Sequence, residues 1–143
     1  MGAGAGRVLG LDLGDARIGV AISDPERRLA MPLGTIRVGQ PPGELRAIVA
    51  LVAEHEVSRV VLGHPRSMSG ARGPSARHAE AFAEALRAIV TVPVDLHDER
   101  LTTVEAERTL RDAGLRGRER RAVVDRTAAA VILQGWLDAN RDG

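Results

Sequence analysis

Three acidic residues occupy positions where a carboxylate is unexpected unless it serves a site. Asp12 interrupts an apolar run between Leu11 and Leu13, where burial of an unpaired carboxylate would be strongly unfavourable. Asp125 is followed at helical spacing, at i+3, i+4, i+7 and i+11, only by apolar residues, which predicts that it projects from the buried face of a helix. Glu99 comes just after a predicted strand and just before a Thr-x-x-Glu helix cap.

These acids would carry out one kind of chemistry if they converge. Ligand sites in α/β sheets lie beyond the carboxyl ends of parallel strands, where Asp12 and Glu99 are predicted. A set of carboxylate ligands that includes no Cys or His suits hard cations. We therefore expect the site to bind two ions of Mg²⁺ or Mn²⁺. Such a pair supports in-line hydrolysis of a phosphodiester. Two structural interpretations stay open: Asp12 could start the turn at Gly14, and Asp125 could be a salt-bridged core residue.

The basic residues indicate where a polyanion would bind. The chain has no lysine, and all 20 of its basic residues are arginine, the side chain suited to bidentate phosphate contact. Codon composition would explain this bias equally well. Several arginines fall close to Asp125 or on a glycine-rich loop, and a solvated charged face is the alternative interpretation. The candidate nucleic-acid contacts are Arg66, Arg72, Arg100, Arg116, Arg118, Arg120, Arg121 and Arg126.

The composition excludes several other classes of protein. The formal net charge is only +1 and cysteine is absent, so neither a global positive field nor a disulfide or thiolate zinc site is expected. No apolar run is long enough to cross a bilayer, and we expect a cytoplasmic protein without a membrane partner. Phe82 and Trp136 are the only aromatic residues of the Phe, Trp and Tyr types, so base stacking on aromatic platforms is not expected.

The elements that must position these residues follow from periodicity. Residues 1–6 are expected to form a flexible tail, and residues 7–140 a single domain. Two apolar runs joined by Gly14, Asp15 and Ala16 predict an antiparallel β-hairpin, and Pro32 restricts the third strand to a sheet edge. The expected fold is α/β, with a mixed five-stranded sheet and helices on both faces. The predicted elements are strands 8–13, 18–22, 28–36, 59–63 and 92–96, and helices 45–55, 75–90, 102–114 and 121–139.

The loop that follows the fourth strand, GHPRSMSGARGP, is rich in glycine and proline. It lacks the Gly-Lys-Ser/Thr ending of a nucleotide-binding P-loop, so that function is rejected. His64 opens this loop and could contact a phosphate or shuttle a proton. It could equally be a simple loop residue.

Four segments of the chain together resemble one known family. They are GLDLGDARIGVAISD, GHPRSMSG, DERLTTVEAERTL and VVDRTAAAVILQGWL, and in this order they resemble the YqgF family, also called RuvX. The resemblance implies a ribonuclease H-like fold with the third strand at the edge. It also implies that Asp12, Glu99 and Asp125 are the catalytic, metal-binding acids. Members are described as nucleases that process the 5′ end of pre-16S ribosomal RNA, or as Holliday junction resolvases.

Departures from the family pattern are modest. Asp15 stands where a threonine or another small polar residue is usual, and Ser69 replaces an acid common in the loop after the fourth strand. We expect pre-ribosomal RNA as the substrate, with branched DNA as the alternative. Symmetric junction cutting would need a two-fold dimer, and the sequence leaves monomer and homodimer open. A non-catalytic nucleic-acid-binding module, and a kinase-like use of the hairpin, are the other classes considered.

Overall fold

The computed structural model describes residues 6–40, 43–65, 73–99 and 117–140, and only the backbone of residues 117–126. Residues 1–5 of the predicted tail and the predicted helix 102–114 lie outside the described residues. The strands are β1 (Arg7–Leu13), β2 (Arg17–Ser23), β3 (Ala30–Arg37), β4 (Val57–His64) and β5 (Val94–Asp98). The helices are α1 (Glu44–Glu54), α2 (Pro74–Arg87) and α3 (Gly117–Ala139).

The five strands form one mixed sheet in the order β3-β2-β1-β4-β5. β1, β2 and β3 pair antiparallel, whereas β1, β4 and β5 are parallel. Pro32 lies in β3 at the sheet edge, where pairing with β2 shifts register near Ala21, as expected of a residue with no N–H to donate. The predicted fold class, hairpin and edge strand are confirmed.

The hairpin places Asp12 inside a strand. The turn is closed by the Gly14 N–H, which donates to the Arg17 carbonyl oxygen at 2.9 Å. Asp12 precedes this turn and pairs with Gly19 across β1 and β2. The interpretation of Asp12 as a turn-forming residue is therefore wrong.

Helices cover both faces of the sheet. On one face, Leu9 and Leu11 of β1 join a core with Leu62 and with residues of α1 and α2. On the other face, Val8 packs with buried residues of α3 such as Leu133. Because side chains alternate along a strand, even-numbered residues of β1 face α3. Asp12 continues that even-numbered row.

Several element boundaries differ from the sequence predictions, and two of these differences have a clear physical reason. β5 begins at Val94 rather than at residue 92, because Pro93 offers only its carbonyl, which accepts from the Val60 N–H at 2.9 Å. The last helix begins at Gly117 rather than at residue 121, because the charged residues before it are good helix formers. Residues 117–120, which the sequence prediction placed before this helix, are thus helical. Within the described residues, no helix has the length and apolar character needed to cross a bilayer.

Candidate active site

The carboxyl ends of three parallel strands bring the site together. Leu11 of β1 pairs with Leu62 of β4, and Leu62 pairs with Leu96 of β5. One residue further along these strands come Asp12, Gly63 and His97, on the face of the sheet that α3 covers.

Gly63 provides space for the carboxyl group of Glu99. Glu99 follows β5 directly, and a Cβ atom on Gly63 would lie 2.5 Å from its Oε2. The same atom would lie 2.8 Å from Cδ1 of Ile132 in α3. Glu99 therefore crosses over the end of β4 toward β1, in a space that a side chain on Gly63 would fill.

The electrostatics of Glu99 show that Asp12 is its neighbour. Burial, and next the negative charges of Asp12 and Asp98, raise the pKa of Glu99 to about 7. Like charges held together disfavour ionisation, and a cation between them would reverse that effect. An oxygen-only donor set of this kind fits a hard divalent cation. The residues present therefore suit the metal that the sequence predicts.

Asp125 lies on the helix that covers this face. Its backbone belongs to α3, about one turn before Ala129. A Cβ atom on Gly10 would lie 2.7 Å from Cβ of Leu133 and 3.3 Å from the Ala129 carbonyl oxygen, so α3 approaches β1 closely. Since Val8 packs with the end of α3, the helix runs antiparallel to β1, and Asp125 lies toward the Asp12 end.

The described side chains bring together two of the three predicted acids. Glu99 lies over Gly63, near enough to Asp12 for the charge of Asp12 to raise its pKa, whereas the side chain of Asp125 lies outside the described part. Among the side chains that the structure describes, no group of three His, Cys, Asp or Glu residues could hold a metal ion.

A cleft of about 230 Å³ opens beside this pair. Gly63 and Glu99 line one side of it, and the β1–β2 turn at Gly14 and Asp15 lines another. The first turns of α2, including His78, complete the wall. The cleft therefore connects the candidate carboxylates with the surface between the hairpin and α2.

His64 lies on the opposite face of the sheet. It is the last residue of β4 rather than a loop residue, and its Nε2 is 2.7 Å from Oε2 of Glu80 in α2. Its side chain is only 12% exposed. This contact ties the end of β4 to α2, which borders the cleft.

His97 and Gly63 are site residues that sequence reasoning missed. His97 is buried beside Gly63, and burial lowers its pKa. Within the described part of the chain, its Nε2 has no hydrogen-bond partner. Strand alternation places both residues on the α3 face, but their position beside Glu99 depends on the register between β4 and β5, which local sequence patterns do not give.

Four of the eight candidate arginines lie in α3, and the other four lie outside the described residues. The backbone of the N-terminal part of α3 carries four of them, with side chains that are not described. These four are Arg118, Arg120, Arg121 and Arg126. Arg66, Arg72, Arg100 and Arg116 lie outside the described residues.

The strand order and the helices on both faces of the sheet are those of the ribonuclease H-like fold. The sequence matches the model of the RuvX family, described as Holliday junction resolvase, over residues 6–139. The chain belongs to the RuvX family. It is 53% identical over 132 residues to a "Putative pre-16S rRNA nuclease" of Anaeromyxobacter sp., covering 92% of this chain and 96% of the relative. A protein of the same name from Mycobacterium tuberculosis is 52% identical, covering 94% and 80%.

Solved structures support the fold assignment. Thermus thermophilus RuvC matches with a TM-score of 0.56 and 14% identity, covering 93% of this chain and 96% of that one. The fowlpox virus Holliday junction resolvase matches with a TM-score of 0.52 and 10% identity, covering 93% and 98%. At these identities the likeness shows the ribonuclease H-like fold alone.

Proposed function

We propose that this protein is a metal-dependent phosphodiester hydrolase that processes the 5′ end of pre-16S ribosomal RNA. The observation that carries the proposal is the position of Glu99 over Gly63, where burial and the negative charges of Asp12 and Asp98 raise its pKa to about 7. Asp125, on the helix packed against the same face, is proposed as the third acid.

Asp12, Glu99 and Asp125 would hold two divalent ions, Mg²⁺ or Mn²⁺. When bound, these ions supply an activated water and stabilise the leaving oxygen in an in-line displacement. The chain itself fixes the ligand positions, because Asp12 is anchored in a central strand and Gly63 admits Glu99. Partial burial lowers the effective dielectric constant around the Glu99 carboxyl group, which strengthens its interaction with a cation.

The substrate assignment depends on the relatives and on arginine chemistry. The similar proteins from Anaeromyxobacter and Mycobacterium are named for pre-16S rRNA. The arginines near Asp125 are proposed to hold the phosphate backbone, a role that positions a nucleic acid without reading its sequence. Branched DNA is the second candidate, favoured by the description of the family model as Holliday junction resolvase.

Cleavage assays with purified full-length protein test the proposal. Precursor rRNA and a four-way DNA junction of matched length are incubated with Mg²⁺ or Mn²⁺ and with wild type, Asp12→Asn or Asp125→Asn. Asp138→Asn, on the exposed end of the same helix as Asp125, is the matched control.

We expect wild type and Asp138→Asn to cut the precursor near the mature 5′ end, and Asp12→Asn and Asp125→Asn to be inactive. Cutting of the junction alone would replace RNA by branched DNA as the substrate. If neither substrate is cut, the protein is a non-catalytic binding module and the proposal is wrong. Cutting that persists in both Asn variants would also contradict it.

A further inference from the structure

A second groove continues from the cleft along α2. It has a volume of about 250 Å³ and shares with the cleft the β1–β2 turn and His78. Ile18, Val38 and Phe82 give it an apolar wall. A strand that places a phosphate at Glu99 could therefore extend a neighbouring nucleotide into this groove.

The groove contains a pair of rings. The imidazole of His78 and the phenyl ring of Phe82 have centroids 6.4 Å apart and are tilted by 49°. His78 is exposed and Phe82 is half-buried against the core. Aromatic faces beside apolar side chains suit a flat ring, since bases stack on such surfaces whatever their sequence. The scarcity of aromatic residues still excludes an extended stacking platform.

The charges of the groove select against a phosphate. Asp15 and Glu44 line it, and no arginine is present among the described residues of its wall. The Gly39 N–H donates to Oε1 of Glu44 at 3.1 Å, and this bond lowers the pKa of Glu44, which therefore remains ionised at neutral pH. Two carboxylates repel a phosphate group but accept hydrogen bonds from the exocyclic amines of bases.

We propose that this groove binds an unpaired nucleobase next to the scissile phosphate and prefers a base that carries an exocyclic amine. The proposal rests on the proposed function, because it takes the carboxylates over Gly63 as the point of cleavage. His78 and Phe82 provide the stacking surface, and Asp15 and Glu44 accept from the amine. Cytosine is therefore bound more tightly than uracil, which carries a carbonyl oxygen in place of the amine and would point it at the carboxylates.

Binding of single-stranded RNA in the absence of divalent ions tests the groove separately from cleavage. Fluorescence anisotropy gives the Kd of labelled oligocytidine and oligouridine of equal length and charge. An oligomer containing 2-aminopurine reports stacking, since its emission is quenched when the base stacks on a ring. The variants are His78→Ala, Phe82→Leu and a double Asp15→Ala, Glu44→Gln protein. Glu84→Ala, exposed on α2 outside the groove wall, is the matched control.

We expect wild type and Glu84→Ala to bind oligocytidine about fivefold or more tighter than oligouridine. His78→Ala should weaken binding of both by about fivefold and reduce the quenching. The double carboxylate variant should lose the preference for cytosine. Since His78 is exposed, its variant remains informative if Phe82→Leu fails to fold.

Equal affinities for the two oligomers, or a His78→Ala protein that behaves like Glu84→Ala, would overturn the proposal. If that result is found together with cleavage that Asp12→Asn abolishes, only the groove proposal fails and the proposed function stands. If the protein shows the expected binding pattern but cuts neither substrate, the proposal of a base-binding groove stands and the proposed hydrolase function is wrong.

Discussion

The carboxyl group of Glu99 lies over Gly63, and the distance from its Oε2 to a Cβ atom at that position would be 2.5 Å. This relationship sets the position of Glu99 beside Asp12, because no side chain of β4 separates the two acids on this face. Gly63 thus acts as a positioning residue for the candidate catalytic pair.

Gly63→Ala is predicted to displace Glu99 without unfolding the protein. The nearest atoms to the new methyl group are the ends of flexible side chains, Oε2 of Glu99 and Cδ1 of Ile132. A shift of about 1 Å at a reacting group costs about 100-fold in rate. We expect a loss of that size in cleavage rate, with an unchanged circular dichroism spectrum.

Gly34→Ala is the matched control for this experiment. Gly34 lies in the edge strand β3, and a Cβ atom there would meet no atom within 4 Å. Its cleavage rate should equal that of wild type. A Gly63→Ala protein that is as active as Gly34→Ala would show that Glu99 does not need this space.

Glu99→Gln is predicted to stabilise the protein when divalent ions are absent. Burial and the charges of Asp12 and Asp98 raise the pKa of Glu99 to about 7, against an ordinary value of 4.5. The folded state therefore binds this proton more tightly than the unfolded state, and stability falls as pH rises from about 4.5 to about 7. Glutamine does not ionise, so the Glu99→Gln protein does not lose this stability as pH rises.

Thermal unfolding at two pH values checks this prediction. The variant should have the higher Tm at about pH 8, and the difference should shrink at about pH 4.5, where wild-type Glu99 is protonated in the folded state and about half protonated in the unfolded state. Mg²⁺ should raise the Tm of wild type more than that of the variant. A Glu99→Gln protein that is less stable than wild type at both pH values would contradict the predicted direction of the stability change.

Gly10→Ala is predicted to destabilise the contact between β1 and α3. The added methyl group would lie 2.7 Å from Cβ of Leu133 and 3.3 Å from the Ala129 carbonyl oxygen, so backbone must move. Overpacking of this kind costs about 1–3 kcal/mol. Because α3 also carries Asp125, the cleavage rate should fall as well.

A double-mutant cycle with Leu133→Gly, which removes the Cβ atom that the new methyl group would meet, separates this contact from general damage. If the clash with Leu133 causes the loss, the two changes together should cost less than the sum of their separate effects on the free energy of unfolding. Urea unfolding of the four proteins measures the coupling. Strict additivity would mean that Gly10 acts through something other than Leu133.

Trp136 is predicted to stabilise the end of the sheet farthest from the candidate site. It is buried in the α3 core, and the guanidinium carbons of Arg27 and Arg59 lie 6.0 and 5.7 Å from its ring centroid. Trp136→Ala should lower the free energy of unfolding by about 3–5 kcal/mol. Leu29→Ala, at a side chain that is 57% exposed, should change it by less than about 0.5 kcal/mol. Chemical denaturation compares the two, and equal effects would contradict the packing described.

The sequence predicts much of the fold because hydrophobic periodicity is local. The hairpin, the edge position of Pro32 and the alternation of buried strands and amphipathic helices all follow from patterns a few residues long. The register between β1, β4 and β5 does not, since it depends on contacts between segments far apart in the chain. The role of Gly63 therefore emerges only when Glu99 is placed beside it.

The candidate site, like the fold, was predictable from the sequence only where a local pattern marks the residue. Asp12 was recognisable because a carboxylate in an apolar run is anomalous, and the structure places it next to Glu99. His64 and Gly63 adjoin in sequence but lie on opposite faces of β4, whereas the sequence prediction ended the strand at Gly63 and placed His64 in a loop. The groove along His78 and Phe82 combines residues from a turn and two helices, for which no single stretch of sequence carries a signal.

Mn²⁺ binding, followed by electron paramagnetic resonance, tests the central claim most directly. The claim is that Asp12, Glu99 and Asp125 hold divalent ions together. Wild type and Asp138→Asn should bind Mn²⁺ with the same affinity, whereas Asp12→Asn, Glu99→Gln and Asp125→Asn should each bind it much more weakly. Unchanged Mn²⁺ affinity in Asp12→Asn or Asp125→Asn would contradict the account.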